Sequence, residues 1–149
     1  MKSFFDPAAA ETLRLRMAQL TPETQRQWGK MGPAQMLAHC SAAMEVSVGD
    51  KVMRQVLLGK LFGKRAKASL LSGKPIGHNL PTDKSYIVND DRDLDVERQR
   101  LVALIDRFQT GGPEKCTKHP HSFFGTMTPE EWSALNYIHL DHHLRQFGV

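Results

Sequence analysis

The chain has 149 residues, of which 40% are hydrophobic, and a formal net charge of +4 at pH 7. This length suits a single sizeable core, so we expect one domain over residues 1–149. There is no apolar run of membrane-spanning length, the first residues lack the apolar core of a signal peptide, and two cysteines exclude a disulfide framework. These features predict a cytoplasmic protein.

Helix start signals that combine a capping position with proline occur four times along the chain. They predict a helix from Asp6-Pro7 to about Leu20, a short one from Thr21-Pro22 toward Trp28, one from Gly32-Pro33 that carries His39, and a last one from Thr128-Pro129. A capping box of Thr128 and Glu131 supports the last start. Apolar spacing predicts a further helix from about Asp93 to Thr110, ended by Gly111-Gly112-Pro113.

The connection from about residue 50 to residue 92 is too apolar to be a plain loop. Its apolar residues predict one or two extra helices interrupted at Gly59, Gly63 and Gly73, with a loop over residues 75–81. The only β-like fragment, residues 86–88, is too short to build a sheet. The sequence therefore predicts an all-α fold, a four-helix bundle with a long, partly helical crossover between the second and third main helices.

A basic stretch from Lys51 to Lys74 contains seven basic residues and no acidic one. Such a stretch could contact nucleic acid phosphates or an acidic membrane surface. Limited aromatic interleaving and the lack of a nucleic-acid-binding motif favour a solvated face instead, so neither nucleic acid nor a membrane is the expected partner. A further possibility is that these charges attract a small anionic substrate.

Three of the seven histidines lie in the last predicted helix. His139 and His143 are one turn apart on the same face, so both imidazoles can meet one ion. A useful site needs a third donor, and His39 is the best candidate. Buried imidazoles require hydrogen-bond partners or a metal, so the alternative is a polar cluster held by hydrogen bonds alone.

Other polar residues near these histidines are candidates for supporting roles. His142 lies roughly 60° around the helix from His139, at the edge of the face that carries the pair, which indicates an outer or surface position. Gln146 could hydrogen-bond a ligand or make a core-edge contact. His121, in the preceding loop, could be an extra donor or general acid, or a plain loop residue. Asp141 is expected to face solvent, and Cys40 to be a buried, inert thiol.

Three groups of residues carry a resemblance to a known family over nearly the whole chain. They are Trp28-Gly29-Lys30-Met31 with Gln35-Met36-Leu37-Ala38-His39-Cys40, Phe123-Phe124-Gly125 with Thr128-Pro129-Glu130-Glu131-Trp132, and His139-Leu140-Asp141-His142-His143-Leu144-Arg145-Gln146-Phe147-Gly148. With these motifs the chain resembles the DinB/YfiT-like metal-binding four-helix bundles, within a branch that is a domain of unknown function.

The resemblance implies one divalent ion, held by a histidine of the second helix and a His-x-x-x-His pair of the last. These positions match His39, His139 and His143. Imidazole ligands suit zinc, nickel, iron and copper, and of these zinc or nickel is the expected metal. Three neutral ligands leave a position open to water or substrate. The resemblance also implies a homodimer and a thiol-dependent transferase or isomerase.

The chemistry itself stays open at this point. A metal-dependent hydrolase, a non-catalytic metal-binding or sensing protein, and a dimeric helical interaction module are the alternatives. The sequence has no Ser-His-Asp arrangement, phosphate-binding glycine loop or dinucleotide fingerprint. This weakens serine hydrolase, kinase and dehydrogenase functions.

Overall fold

The fold is built from helices alone. In the computed structural model, which describes residues 2–149, the helices are α1 (Pro7–Met17), α2 (Pro33–Ser47), α3 (Leu57–Leu71), α4 (Leu94–Lys115) and α5 (Pro129–Gln146), with a 3-10 turn at Lys84–Tyr86. No β-strand occurs in this range, where an isolated bridge pairs His121 with Gly125. The predicted all-α class is confirmed.

The capping signals predict most helix starts correctly. The Asp6 side chain accepts a hydrogen bond from the Ala8 N–H, and Thr128 and Glu131 form the expected capping box. The short helix predicted after Thr21-Pro22 is wrong, because residues 21–32 are not helical. Thr21 and Thr24 instead bond to each other in a single turn. A nucleus of one turn is unfavourable without packing to support it.

Helix ends agree less closely with the sequence. Helix α1 stops at Met17, about one turn before the predicted Leu20. Helix α4 runs to Lys115, but its backbone leaves the helical conformation at Gly112, where φ is +60°. The predicted break at Gly111-Gly112-Pro113 is therefore present, and one further helical turn follows it.

The crossover holds one continuous helix. Gly59 and Gly63 were expected to interrupt it, and that expectation is wrong, because α3 passes through both. Both glycines are buried against the backbone of Phe123, where an added Cβ would meet the carbonyl oxygen at 2.5 Å and 2.1 Å respectively. They are needed for this close approach. Gly73, with φ of +83°, lies just beyond the end of α3 as predicted.

Four helices surround the core, and α3 lies outside it. Helix α2 packs most extensively on α4, both contact α5, and α1 lies against α4 and α5. The largest fully buried side chains include Phe4, Leu13, Met36, Leu101, Ile105, Trp132 and Leu140. The described helices include none with the length and apolarity needed to cross a bilayer. The DinB/YfiT-like bundle and the single domain stay predictions.

Ion pairs join these helices at the edge of the core. Glu97 of α4 is only 4% exposed and pairs with Arg92 and Arg100, and Arg100 also binds Glu45 of α2. Asp141, expected to face solvent, instead pairs with Arg16 of α1 at 2.5 Å. A buried carboxylate needs such partners because its desolvation is costly. These pairs fix the registers of α2 on α4 and of α1 on α5.

The glycine contact of α3 yields a test by substitution. Alanine normally stabilises a helix by about 1 kcal/mol relative to glycine. At Gly63 we expect the opposite sign, with Gly63→Ala lowering the free energy of unfolding by about 1–3 kcal/mol, because the new Cβ displaces the Phe123 carbonyl. Urea denaturation measures this. Ser69→Ala at an exposed position of α3 is the control, and a stabilised Gly63→Ala variant would contradict the contact.

Candidate metal centre

Three histidines meet where α2 faces α5. His39 comes from α2, and His139 and His143 come from successive turns of α5. Their ring centroids are 4.7–4.9 Å apart, and Nε2 of His39 lies 3.0 Å from Nε2 of His139. One nitrogen from each ring lies within 4.8 Å of the other two. The three residues singled out by the sequence are therefore brought together.

The orientation of His39 is fixed by a backbone carbonyl. Its Nδ1 lies 2.9 Å from the carbonyl oxygen of Tyr86, in the 3-10 turn. A carbonyl oxygen only accepts, so Nδ1 carries the proton and donates it. In the neutral ring Nε2 then has a free lone pair, and this lone pair points at His139. This is the arrangement that metal-binding histidines usually show.

Gln146 orients His143 in the same way. Its Nε2 donates to the carbonyl oxygen of Trp28 at 2.8 Å, which turns its Oε1 toward His143 Nδ1, also at 2.8 Å. His143 Nδ1 must donate to this oxygen, so its own Nε2 is left with the lone pair. Gly29 has φ of +79°, and a Cβ there would lie 2.4 Å from Gln146 Nε2. The predicted supporting role of Gln146 thus has a geometric basis.

Burial keeps the three imidazoles neutral. Desolvation lowers the pKa of His39, although the Tyr86 carbonyl partly opposes this. Desolvation and then His143 lower the pKa of His139 well below its usual value. The pKa of His143 falls to about 3, through desolvation and then His39. Neutral imidazole is the metal-binding form, so an incoming ion meets no net positive charge on the rings at neutral pH.

The outer candidates take up different places around the centre. The His142 ring lies 5.1 Å from that of His143 and 5.7 Å from that of Trp28, at the edge of the cluster. His121 is held in its own loop, where Nδ1 accepts the N–H groups of Phe123 and Phe124. Its proton is therefore on Nε2. Neither residue belongs to the group of three.

Sequence reasoning missed two contributors to this region. Trp28 is half-buried and stacks on His78 with ring centroids 3.8 Å apart. The ring of His78, which has no motif around it in the sequence, lies 6.1 Å from that of His142. The Tyr86 carbonyl also has no signature in the sequence. The Trp28-Gly29 motif was the one available signal, since both residues contact Gln146.

Other potential ligands lie apart from the centre. Cys40 is buried with its sulfur 3.9 Å from that of Met36, and desolvation raises its pKa, as expected for an inert thiol. Among residues 2–149, the histidine, cysteine and carboxylate side chains grouped closely enough to hold an ion are the three histidines. With Zn–N distances of about 2.0–2.1 Å, ligand nitrogens lie roughly 3.4 Å apart in a tetrahedron. The three rings could hold an ion after a small adjustment in which His39 and His139 separate slightly and His143 approaches them.

Comparison with known proteins adds the family. A family model described as "Protein of unknown function (DUF1569)" matches residues 5–148. The chain belongs to this family. No curated protein and no solved structure gives a significant match. The match agrees with the expected domain of unknown function, while the wider DinB/YfiT-like affiliation stays a prediction.

Buried neutral histidines make the stability depend on pH. The pKa of His121 is lowered to about 4 by burial, against about 6.5 in an unfolded chain. Between these values the unfolded state binds more protons, so the free energy of unfolding falls as pH falls from about 6.5 to about 4. Replacing His121 by an uncharged residue removes its contribution to the pH dependence of the free energy of unfolding. We expect His121→Asn to reduce the slope by up to about 1.4 kcal/mol per pH unit.

Urea denaturation of the metal-free protein at several pH values measures this slope. His119→Asn, on the exposed part of the same loop, is the matched control. An unchanged slope in His121→Asn would show that this ring is protonated as readily in the folded state as in the unfolded one.

Proposed function

We propose that this protein binds one divalent metal ion, zinc or nickel, through His39, His139 and His143. The observation that carries the proposal is the fixed direction of two lone pairs. The Tyr86 carbonyl and Gln146 hold protons on the Nδ1 atoms of His39 and His143, so both Nε2 atoms remain free as ligands. A plain polar cluster would also use the His39 lone pair, as the acceptor of a hydrogen bond from His139 Nε2, but it does not require the second free lone pair, on His143 Nε2.

The proposed activity is that of a thiol-dependent transferase or isomerase that acts on a small molecule. Three neutral protein ligands are typical of catalytic rather than structural sites. When bound, a divalent ion supplies Lewis acidity that lowers the pKa of water or of a low-molecular-weight thiol. The chain's own residues hold the three imidazoles neutral and oriented. No catalytic base is assigned, and hydrolysis is the alternative reaction.

The remaining parts of the proposal rest on the resemblance to DinB/YfiT-like proteins. They are a four-helix bundle as a single domain, a homodimer and a cytoplasmic location. The packing of α1, α2, α4 and α5 around one core supports the bundle. His142 and His78 lie beside the centre and are the proposed contacts for an incoming small molecule.

A second candidate function is metal binding or sensing without turnover. Two surface cavities are lined by residues other than the three histidines. One, of about 400 Å³, lies at the break in α4 beside Arg107 and Cys116, and the other lies between Pro33 and Arg92. The burial of His39, which is only 4% exposed, favours an ion that is held rather than used, because a substrate must reach the ion to react.

Metal content tests the ligand set. Native, tag-free protein should contain about one divalent ion per chain by mass spectrometry, since the three imidazoles form one site. His39→Ala and His139→Ala should each lose most of it, because two imidazoles hold an ion much more weakly than three. His119→Ala is the control. Native protein that remains metal-free after incubation with zinc and with nickel would refute the proposed site.

Gln146 tests the orientation of the ligands. Gln146→Leu keeps the side-chain size but leaves the Nδ1 proton of His143 without an acceptor, so we expect metal affinity to fall about 10- to 100-fold. A competition titration with a chromophoric chelator measures the affinity. Gln99→Leu, exposed on α4, is the control. Equal affinities in both variants would mean that Gln146 is only a packing residue.

A further inference from the structure

Helix α3 presents an apolar face to solvent. Leu57, Leu58, Leu61 and Phe62 are 74%, 62%, 68% and 57% exposed. Ten large hydrophobic residues are exposed in the described chain, and these four are among six that fall between residues 52 and 62. Single exposed leucines are common, but a contiguous group of this kind usually marks an interaction surface.

The direction of this face follows from how α3 is attached. Its buried residues are Gly59 and Gly63, which lie against the Phe123 backbone. With 100° between successive residues, Leu57 and Leu61 share the side of the helix opposite to the two glycines. Rotating the helix to bury the leucines would bring a bulky side chain where only glycine fits. The apolar face is therefore held outward.

Positive charges flank these apolar residues. Lys60, Lys64 and Arg65 are exposed, and among residues 2–149 none of them pairs with a carboxylate. They belong to the stretch from Lys51 to Lys74, which contains no acidic residue. Long basic side chains can lie beside an apolar strip while their charged ends reach outward. An outward apolar strip with flanking cations is typical of a helix that lies in a membrane interface.

We propose that α3 docks this protein on the surface of an anionic lipid bilayer. In the docked state the leucines and Phe62 enter the boundary between headgroups and acyl chains, and the flanking cations contact lipid phosphates or carboxylates. This differs from the expectation drawn from the sequence, in which the basic stretch is a solvated face. The exposure of the leucines is what changes the interpretation.

Charge complementarity favours lipid over the other possible occupants. A second copy paired through α3 would bring two stretches without any acidic residue against each other, and like charges oppose such a contact. Nucleic acid would match the cations but leaves four exposed apolar side chains without a partner. An anionic bilayer offers complementary groups to both parts of the face.

Vesicle flotation tests the proposal with the full chain. Native protein should float with vesicles of phosphatidylcholine containing about 30% phosphatidylserine, less in high salt, and much less with phosphatidylcholine alone. Lys60→Glu with Lys64→Glu should lower binding at least about tenfold, and Leu61→Ser with Phe62→Ser by a similar factor. Matched controls are Lys2→Glu with Lys118→Glu, and Leu15→Ser, all at exposed positions outside α3.

Circular dichroism shows whether each variant is folded. The proposal is overturned if native protein does not float with anionic vesicles, or if the α3 variants bind as well as their controls. A third outcome assigns the face to a second copy of the chain. In that case the native chain does not bind vesicles, and sedimentation shows that it is a dimer which the α3 substitutions convert into a monomer. The proposal is likewise overturned if the native chain binds a nucleic acid of arbitrary sequence as strongly as it binds anionic vesicles and Leu61→Ser with Phe62→Ser weakens neither interaction. The face would then make phosphate contacts alone.

Discussion

Two imidazole nitrogens, Nε2 of His39 and Nε2 of His139, lie 3.0 Å apart where α2 faces α5. At this separation both nitrogens cannot carry protons, and two bare lone pairs would repel each other unless a proton or a cation lies between them. Burial also disfavours any net positive charge on the rings. The contact between α2 and α5 therefore depends on which nitrogens of His39 and His139 carry protons. The hydrogen bonds around the cluster keep those protons in place.

The supporting groups come from segments outside the helices. The Tyr86 carbonyl belongs to a short 3-10 turn, and the Trp28 carbonyl belongs to a segment that also binds the end of α5 through Gln27 N–H and Gln146 O at 2.7 Å. Backbone carbonyls are suited to this task because they accept hydrogen bonds at every pH. Two irregular segments thereby determine which nitrogens of His39 on α2 and of His143 on α5 carry protons.

The sequence predicts the parts of the molecule that depend on local rules. Helix starts at Pro7, Pro33 and Pro129 follow from capping chemistry, and the pairing of His139 with His143 follows from helical periodicity. The predictions fail where a contact between residues far apart in the sequence determines the local structure. A glycine weakens an isolated helix, so Gly59 and Gly63 indicate breaks, whereas packing against Phe123 makes them necessary. The Tyr86 carbonyl cannot be found from sequence, because every residue has one.

Helix α3 is attached to the rest of the protein by little buried side-chain surface. Its fully buried residues are two glycines, Leu70 is partly buried, and Lys67 links it to Glu131 of α5. Its amide protons are thus expected to exchange with solvent through a local opening that requires less free energy than global unfolding. The helices that carry the three histidines contribute to the main core, so their amide protons are expected to exchange only through larger openings. Helix α3, though not the Tyr86 turn that follows it in the crossover, is consequently expected to detach while the histidine cluster stays assembled.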